Sequence, residues 1–168
     1  MLKVSLNALD RGEVAVREQV SPDDEMWKGA ELTLTTPLDV DLTARSVGDG
    51  VFLRGRLRTT VRLACRRCLT SVEQQIDDTV DLLFEPLGPD DAEAEGEVYP
   101  LPERGDELDL REAVREQVLL RAPQFGLCSE ACRGLCPQCG TDLNTDTCDC
   151  VPEKAATPWD ALKNVKFD

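Results

Sequence analysis

The chain has 168 residues, of which 41% are hydrophobic, 31% charged and only 4% aromatic, which permits one modest aliphatic core, alone or with a small appendage. A formal charge of −14 excludes a general polyanion binder that works by blanketing phosphates. No run of about 18 apolar residues occurs, and MLKVSLNALDRG is not a charged leader followed by an unbroken apolar stretch. A soluble, unexported, cytoplasmic protein with no membrane partner is expected.

In chain order, VSLNAL is a weak candidate for an early strand and VSPDDEMWKG reads as a loop. From residue 31 the pattern firms: Leu32 and Leu34 alternate, and after Pro37 so do Leu38, Val40 and Leu42, which predicts a strand broken or edged by the proline. SVGDG at 46–50 is a turn. Over residues 51–65, Val51, Leu53, Leu57, Val61 and Leu63 share one face, while Arg54, Arg56, Arg58 and Arg62 share the other. Residues 72–84 alternate again, with Val72, Ile76, Val80, Leu82 and Phe84 opposite Glu73, Asp77, Asp81 and Glu85. The two strands should form a hairpin closed by CRRCLTS. If residues whose numbers sum to 135 face each other, Arg62 meets Glu73, Arg58 meets Asp77 and Arg54 meets Asp81, so opposed charges favour that register.

Residues 86–107 are rich in proline, glycine and acids and read as a solvated loop. Asp109 with Glu112 at capping-box spacing then predicts a helix over 109–121, whose Leu110, Ala113, Val114, Val118 and Arg121 fall near one face and which Pro123 stops. The tail TPWDALKNVKFD reads as a short helix opened by Pro158, with Trp159 and Leu162 aligned as candidates for docking on a partner or on the protein itself.

Charge is unevenly placed. Between Asp49 and Glu73 there is no acid and there are six arginines, whereas from Glu73 to Leu127 16 acids face four arginines. Any nucleic-acid contact must therefore be local.

The strongest signal is CSEACRGLCPQCGTDLNTDTCDC, which holds Cys128, Cys132, Cys136, Cys139, Cys148 and Cys150. In a reducing compartment such density points to metal thiolates in preference to disulfides. CPQCG resembles the knuckle of a zinc ribbon, in which a tight turn aims two thiolates at one ion and the glycine accepts an unusual backbone angle. Cys148 and Cys150 can close that site, so Cys136, Cys139, Cys148 and Cys150 form candidate site 1. Cys65 and Cys68 at the hairpin end, with Cys128 and Cys132, form candidate site 2, although Cys132 competes for site 1 on spacing alone. An iron–sulfur cluster accepts the same ligands, and a redox role for Cys65 and Cys68 is an alternative, but the CPxCG turn favours zinc and the pair does not open a helix. With no histidine in the chain, every soft ligand must be cysteine. Two Zn²⁺ on eight ionised thiols would move the formal charge to −18 (−14 − 8 + 4).

Both sites would be closed by four protein ligands, leaving no open position to activate water, so structural zinc is expected. No nucleophile elbow, phosphate loop or dinucleotide fingerprint occurs, and histidine, the commonest general base, is missing. A protein that is not an enzyme and takes no small-molecule substrate is expected. The fold class expected is α+β: an antiparallel β-meander sheet with one main helix and a C-terminal zinc-ribbon-like cysteine module. Residues 1–121 would hold the sheet and helix, with the acidic loop at 86–107, and residues 122–168 the cysteine module and docking tail.

The hairpin with Cys65-Arg66-Arg67-Cys68-Leu69, the strand ending Phe84-Glu85-Pro86, the helix at 109–121, GLCPQCGTDLN and Pro158-Trp159-Asp160-Ala161-Leu162-Lys163 together resemble the bacterial YceD family. Members are described as large ribosomal RNA subunit accumulation proteins, and the resemblance covers roughly residues 30–168. It implies a non-catalytic role in ribosome biogenesis, with large-subunit ribosomal RNA or a pre-ribosomal particle as partner. The RNA-binding candidates are Arg66 and Arg67, to which the cross-strand register assigns no partner, and Arg56 on the strand. The alternative is an acidic adaptor that binds basic ribosomal proteins through residues 73–116 and docks with Trp159 and Leu162.

Overall fold

The computed structural model describes residues 2–30, 32–86, 98–102 and 105–151. Along the chain lie β1 (Lys3–Ser5), α1 (Leu6–Leu9), β2 (Val14–Val20), a 3₁₀ turn (Glu25–Trp27), β3 (Thr33–Leu34), β4 (Leu38–Val47), β5 (Gly50–Ala64), β6 (Ser71–Glu85), β7 (Val98–Pro100), β8 (Glu107–Asp109) and α2 (Arg111–Arg121). A six-stranded sheet runs in the order β2-β4-β5-β6-β7, with β3 pairing β5, and β1 pairs β8 in a separate two-stranded ribbon. The sheet is mixed and largely antiparallel: β2, β4, β5 and β6 form a meander, and the β6 to β7 pairing is parallel.

Alternation decides which face is inside. Leu38, Val40, Leu42 and Ala44 of β4, Leu53, Leu57 and Val61 of β5, and Ile76, Val80, Leu82 and Phe84 of β6 are buried on one face, where Val114 and Val118 of α2 join the same core. Gly55 is paired with Leu42 of the adjacent strand β4, which lies so close that a Cβ there would overlap the Asp41 carbonyl oxygen.

The opposite face is a checkerboard of charge. Arg54 faces Asp81, Arg58 faces Asp77 and Arg62 faces Glu73 across the hairpin, at N–O distances of 2.8, 3.2 and 3.4 Å. Arg17 meets Asp41 on the β2 side at 3.3 Å. Each exposed pair contributes only about 0.2–1 kcal/mol, so the ladder selects register more than it stabilises the sheet.

Four local expectations need correction. Of VSLNAL only Val4 and Ser5 are extended, as the end of β1, after which Leu6–Leu9 makes one helical turn that buries Leu9. The segment around VSPDDEMWKG is not all loop: Val20 ends β2, and Asp24 caps the 3₁₀ turn by accepting the Met26 N–H, which buries Trp27. The stretch 86–107 contributes β7 and the first residue of β8, because an edge of the sheet and the strand β1 supply partners that local composition does not reveal. Finally, α2 begins at Arg111 with Leu110 as its N-cap, since Asp109 is held extended opposite Lys3. Asp109 still accepts the Arg111 N–H at 3.0 Å, and although burial opposes it, its hydrogen bonds from Arg111 hold its carboxyl below the usual range. Among the described residues no helix is long and apolar enough to cross a membrane.

Candidate metal centres and the basic knuckle

β5 and β6 are joined by residues 65–70, and this turn is the first half of a sulfur cage. The Cys65 N–H donates to the Thr70 carbonyl at 2.8 Å and the Leu69 N–H to the Cys65 carbonyl at 2.9 Å, which folds Cys65 and Cys68 onto one side. The second half arrives after α2. Gly126 forms a parallel bridge with Cys65 and its carbonyl accepts the Arg66 N–H at 2.9 Å. The approach is close: a Cβ at Gly126 would stand 2.7 Å from the Val72 methyl and force it to shift. Residues 128–135 then wrap the turn: Arg67 Nη1 donates to the Glu130 and Cys132 carbonyls at 3.0 and 2.9 Å, and the Leu135 N–H to the Arg67 carbonyl at 2.9 Å.

Cys65, Cys68, Cys128 and Cys132 thereby converge, with all four sulfurs within 4.8 Å of one another. Cys65 and Cys132 are 3.9 Å apart, and Cys68 and Cys128 3.5 Å. A tetrahedral ion bound to four thiolates at about 2.3 Å needs sulfurs about 3.8 Å apart, so this quartet fits such an ion. Three of its cysteines are buried.

The second quartet is Cys136, Cys139, Cys148 and Cys150, its sulfurs again within 4.8 Å. Its turn repeats the first: the Cys136 N–H donates to the Thr141 carbonyl at 2.8 Å and the Gly140 N–H to the Cys136 carbonyl at 2.9 Å. Only Cys136 is buried here; Cys139 is exposed. Thr70 and Thr141 play matching parts, with hydroxyls 3.3 Å from Cys68 Sγ and 3.1 Å from Cys139 Sγ.

The two quartets touch through Asn144. Its Nδ2 donates to Cys132 Sγ at 3.5 Å while its Oδ1 accepts the Arg133 N–H at 2.8 Å. Asn144 belongs to the turn that follows Cys139, so a side chain from one module braces a ligand of the other.

The thiols are electrostatically split. Amide N–H groups of Cys128, Arg67 and Cys68 push the Cys65 thiol down to about 6, and the hydroxyl and amide of Thr141 push Cys139 down to about 6. Thr70 lowers Cys68, and the amides of Cys139 and Gln138 lower Cys136. The later partners go the other way: neighbouring Cys132 and Cys68 push Cys128 up to about 12, and Cys139 together with burial does the same to Cys150. Cys148 is also raised, as the help of the Cys150 amide is outweighed by Cys136 and burial. In each quartet the CxxC pair is lowered, while Cys128 in the first and Cys148 and Cys150 in the second are raised, the behaviour of clustered thiols that need a cation before all can lose their protons. Each group can hold a metal ion, and all four protein ligands leave no position open.

The remaining candidates fall in different places. Arg56 is not free on the sheet; it shares Asp77 with Arg58, at 3.1 Å. Arg67 is spent on the carbonyls that shape the cage. Arg66 is exposed and makes no ion pair among the described residues; its guanidinium carbon lies 5.9 Å from the centre of the Phe125 ring. Trp159 and Leu162 lie outside the described residues. Sequence reasoning missed Phe125, Asn144 and the likeness of the two turns. The last was legible as C-x-x-C-x-T at 65–70 and again at 136–141.

Comparison with known proteins agrees with the motifs. The family model described as large ribosomal RNA subunit accumulation protein YceD matches residues 53–166, which takes in both quartets. The chain is 27% identical to an Arabidopsis thaliana protein named large ribosomal RNA subunit accumulation protein YCED homolog 1, chloroplastic, over 78% of this chain and 49% of that one. It is 32% identical to an uncharacterized protein of Mycobacterium tuberculosis, over 65% of this chain and 53% of the relative. The chain thus spans about half the length of the curated relatives it matches. No solved structure matches it. With the family model covering more than half of its length, the chain belongs to the YceD family of large ribosomal RNA subunit accumulation proteins.

Proposed function

We propose that this protein is a non-catalytic accessory factor of ribosome biogenesis, held in shape by two structural zinc ions, that supports accumulation of large-subunit ribosomal RNA by binding that RNA or a pre-ribosomal particle. The family's name supplies the ribosomal link. Closed sulfur quartets with no open ligand position support a structural role for the metal. Sulfur-only donors in a tetrahedral cage suit zinc, and a cytoplasmic, reducing setting suits free thiols.

The observation that carries RNA contact is Arg66. It stands on the turn that carries Cys65 and Cys68, without an acidic partner among the described residues, in a stretch of sequence that holds no acid from residue 50 to 72. The sheet arginines are already matched with carboxylates, so they supply little net charge to a phosphate. Contact with RNA would then be local, as the overall charge requires.

Filter retention of large-subunit ribosomal RNA transcripts by zinc-loaded protein tests this. Arg66→Glu should abolish retention while leaving zinc content intact. Arg67→Glu is a poorer probe, because Arg67 also holds the cage. Unchanged retention by Arg66→Glu would sink the proposal.

A further inference from the structure

We infer that Phe125 is a stacking platform for an unpaired RNA base, with Arg66 as the cation beside it; this deepens the RNA reading above and rests on it. Phe125 is 65% exposed in a chain with only four phenylalanines, and α2 has already ended before it. Its backbone is nonetheless tied to the hairpin at the adjacent residue. The next residue, Gly126, is bridged to Cys65 and accepts the Arg66 N–H, and the steric limit at Gly126 fixes how closely this segment lies against the hairpin. An aromatic ring and a guanidinium 5.9 Å apart thus meet where the segment after α2 joins the cysteine turn of the hairpin.

That pair has the chemistry of single-strand recognition. Unstacked bases settle on aromatic rings and guanidinium planes, whereas double-helical RNA is met through its backbone and hydroxyls. Charge chooses between occupants. A ring flanked by an arginine that has no ion-pair partner among the described residues suits a base joined to a phosphate, and the −14 of the whole chain repels further phosphates. The footprint should be one or two nucleotides, projecting from a loop or bulge.

Ultraviolet crosslinking of the full-length, zinc-loaded protein to a large-subunit ribosomal RNA transcript, with adducts located by mass spectrometry and retention measured in parallel, tests this. The expected adduct is at Phe125, on nucleotides in unpaired segments. Phe125→Leu should weaken retention about tenfold, Phe125→Trp should preserve it, and neither should change zinc content. The logarithmic salt slope should be about −0.7 in the wild type, the value for one phosphate contact on a single strand, and unchanged by Phe125→Leu.

If Arg66→Glu abolishes retention but Phe125→Leu binds as wild type, the stacking platform is wrong while the RNA reading stands. Adducts confined to base-paired segments would overturn it equally. A wild type that retains no RNA and instead captures a ribosomal protein, lost with Phe125→Leu, would overturn both and make the patch a protein contact.

Discussion

Leu69 and Gly140 occupy the same place in the two knuckles. Each lies directly after the second cysteine of a CxxC pair and donates its N–H, at 2.9 Å, to the carbonyl of the first, Cys65 or Cys136. Each has a left-handed backbone, with φ of 61° and 75°. Glycine tolerates that geometry freely, whereas a leucine there costs about 1–2 kcal/mol. Leu69 is also 66% exposed, so little packing offsets the strain. Leu69→Gly should therefore leave stability unchanged or raise it by up to about 1 kcal/mol, once the greater chain entropy of glycine is included. Gly140→Leu should lower it by about 1–2 kcal/mol. Denaturant unfolding of the zinc-loaded proteins reads both, and a loss above about 1 kcal/mol for Leu69→Gly would show that its side chain is packed after all.

Metal content should follow the two quartets. Elemental analysis of the untagged protein should find two zinc ions per chain, matching the two cysteine groups. Cys139→Ser, at the more exposed site, should leave one ion and an undisturbed sheet. Cys65→Ser should also cost the bridge region its order, because that cysteine follows β5 directly and pairs with Gly126. A wild-type content below about 1.5 would count against two full sites.

Asn144 should matter to a metal site of which it is no ligand. Removing its bond to Cys132 Sγ with Asn144→Ala should speed loss of one zinc to a competing chelator by about tenfold, within the range for outer-shell partners. The ion held by Cys136 and its partners should leave at its usual rate. Identical release of both ions from wild type and variant would remove the brace.

Adjacent arginines should part company. Arg67→Ala strips two carbonyl contacts around the cage and should cost about 1–2 kcal/mol. Arg66→Ala should stay within about 0.5 kcal/mol, since its side chain projects from the turn. Thermal and denaturant unfolding distinguish them, and equal losses would contradict the division of labour.

Gly55→Ala is expected to destabilise the sheet by about 2–3 kcal/mol, because the added carbon meets backbone that cannot yield as a side chain would. A neutral result would mean that β4 can move away from β5 at that point.

Much of the hairpin is legible in the order of its residues. Opposed charges on β5 and β6 specify the register Arg54↔Asp81, Arg58↔Asp77 and Arg62↔Glu73 because the side-chain period of a strand is two and a one-residue slip would turn the charges of the slipped strand to the core face. Spacing suggests the same fours but leaves Cys132 able to join either group, and only the fold sets it beside Cys65. β2, by contrast, leaves little trace: Val16 and Val20 are buried, but Arg17 and Glu18 between them blur a strand that borders β4 on one side alone.

Neighbours along the chain are enough to settle the alternation that gives the sheet an inside, the charge ladder that aligns it, and two turns able to aim paired thiolates. Which cations stay available is settled only by contacts between distant segments. Arg56 and Arg67 look as free as Arg66 in the sequence, yet one finds Asp77 across the sheet and the other finds carbonyls contributed more than sixty residues later. The same long-range closure puts Phe125 beside Arg66, since no local pattern encodes where a chain returns after a helix.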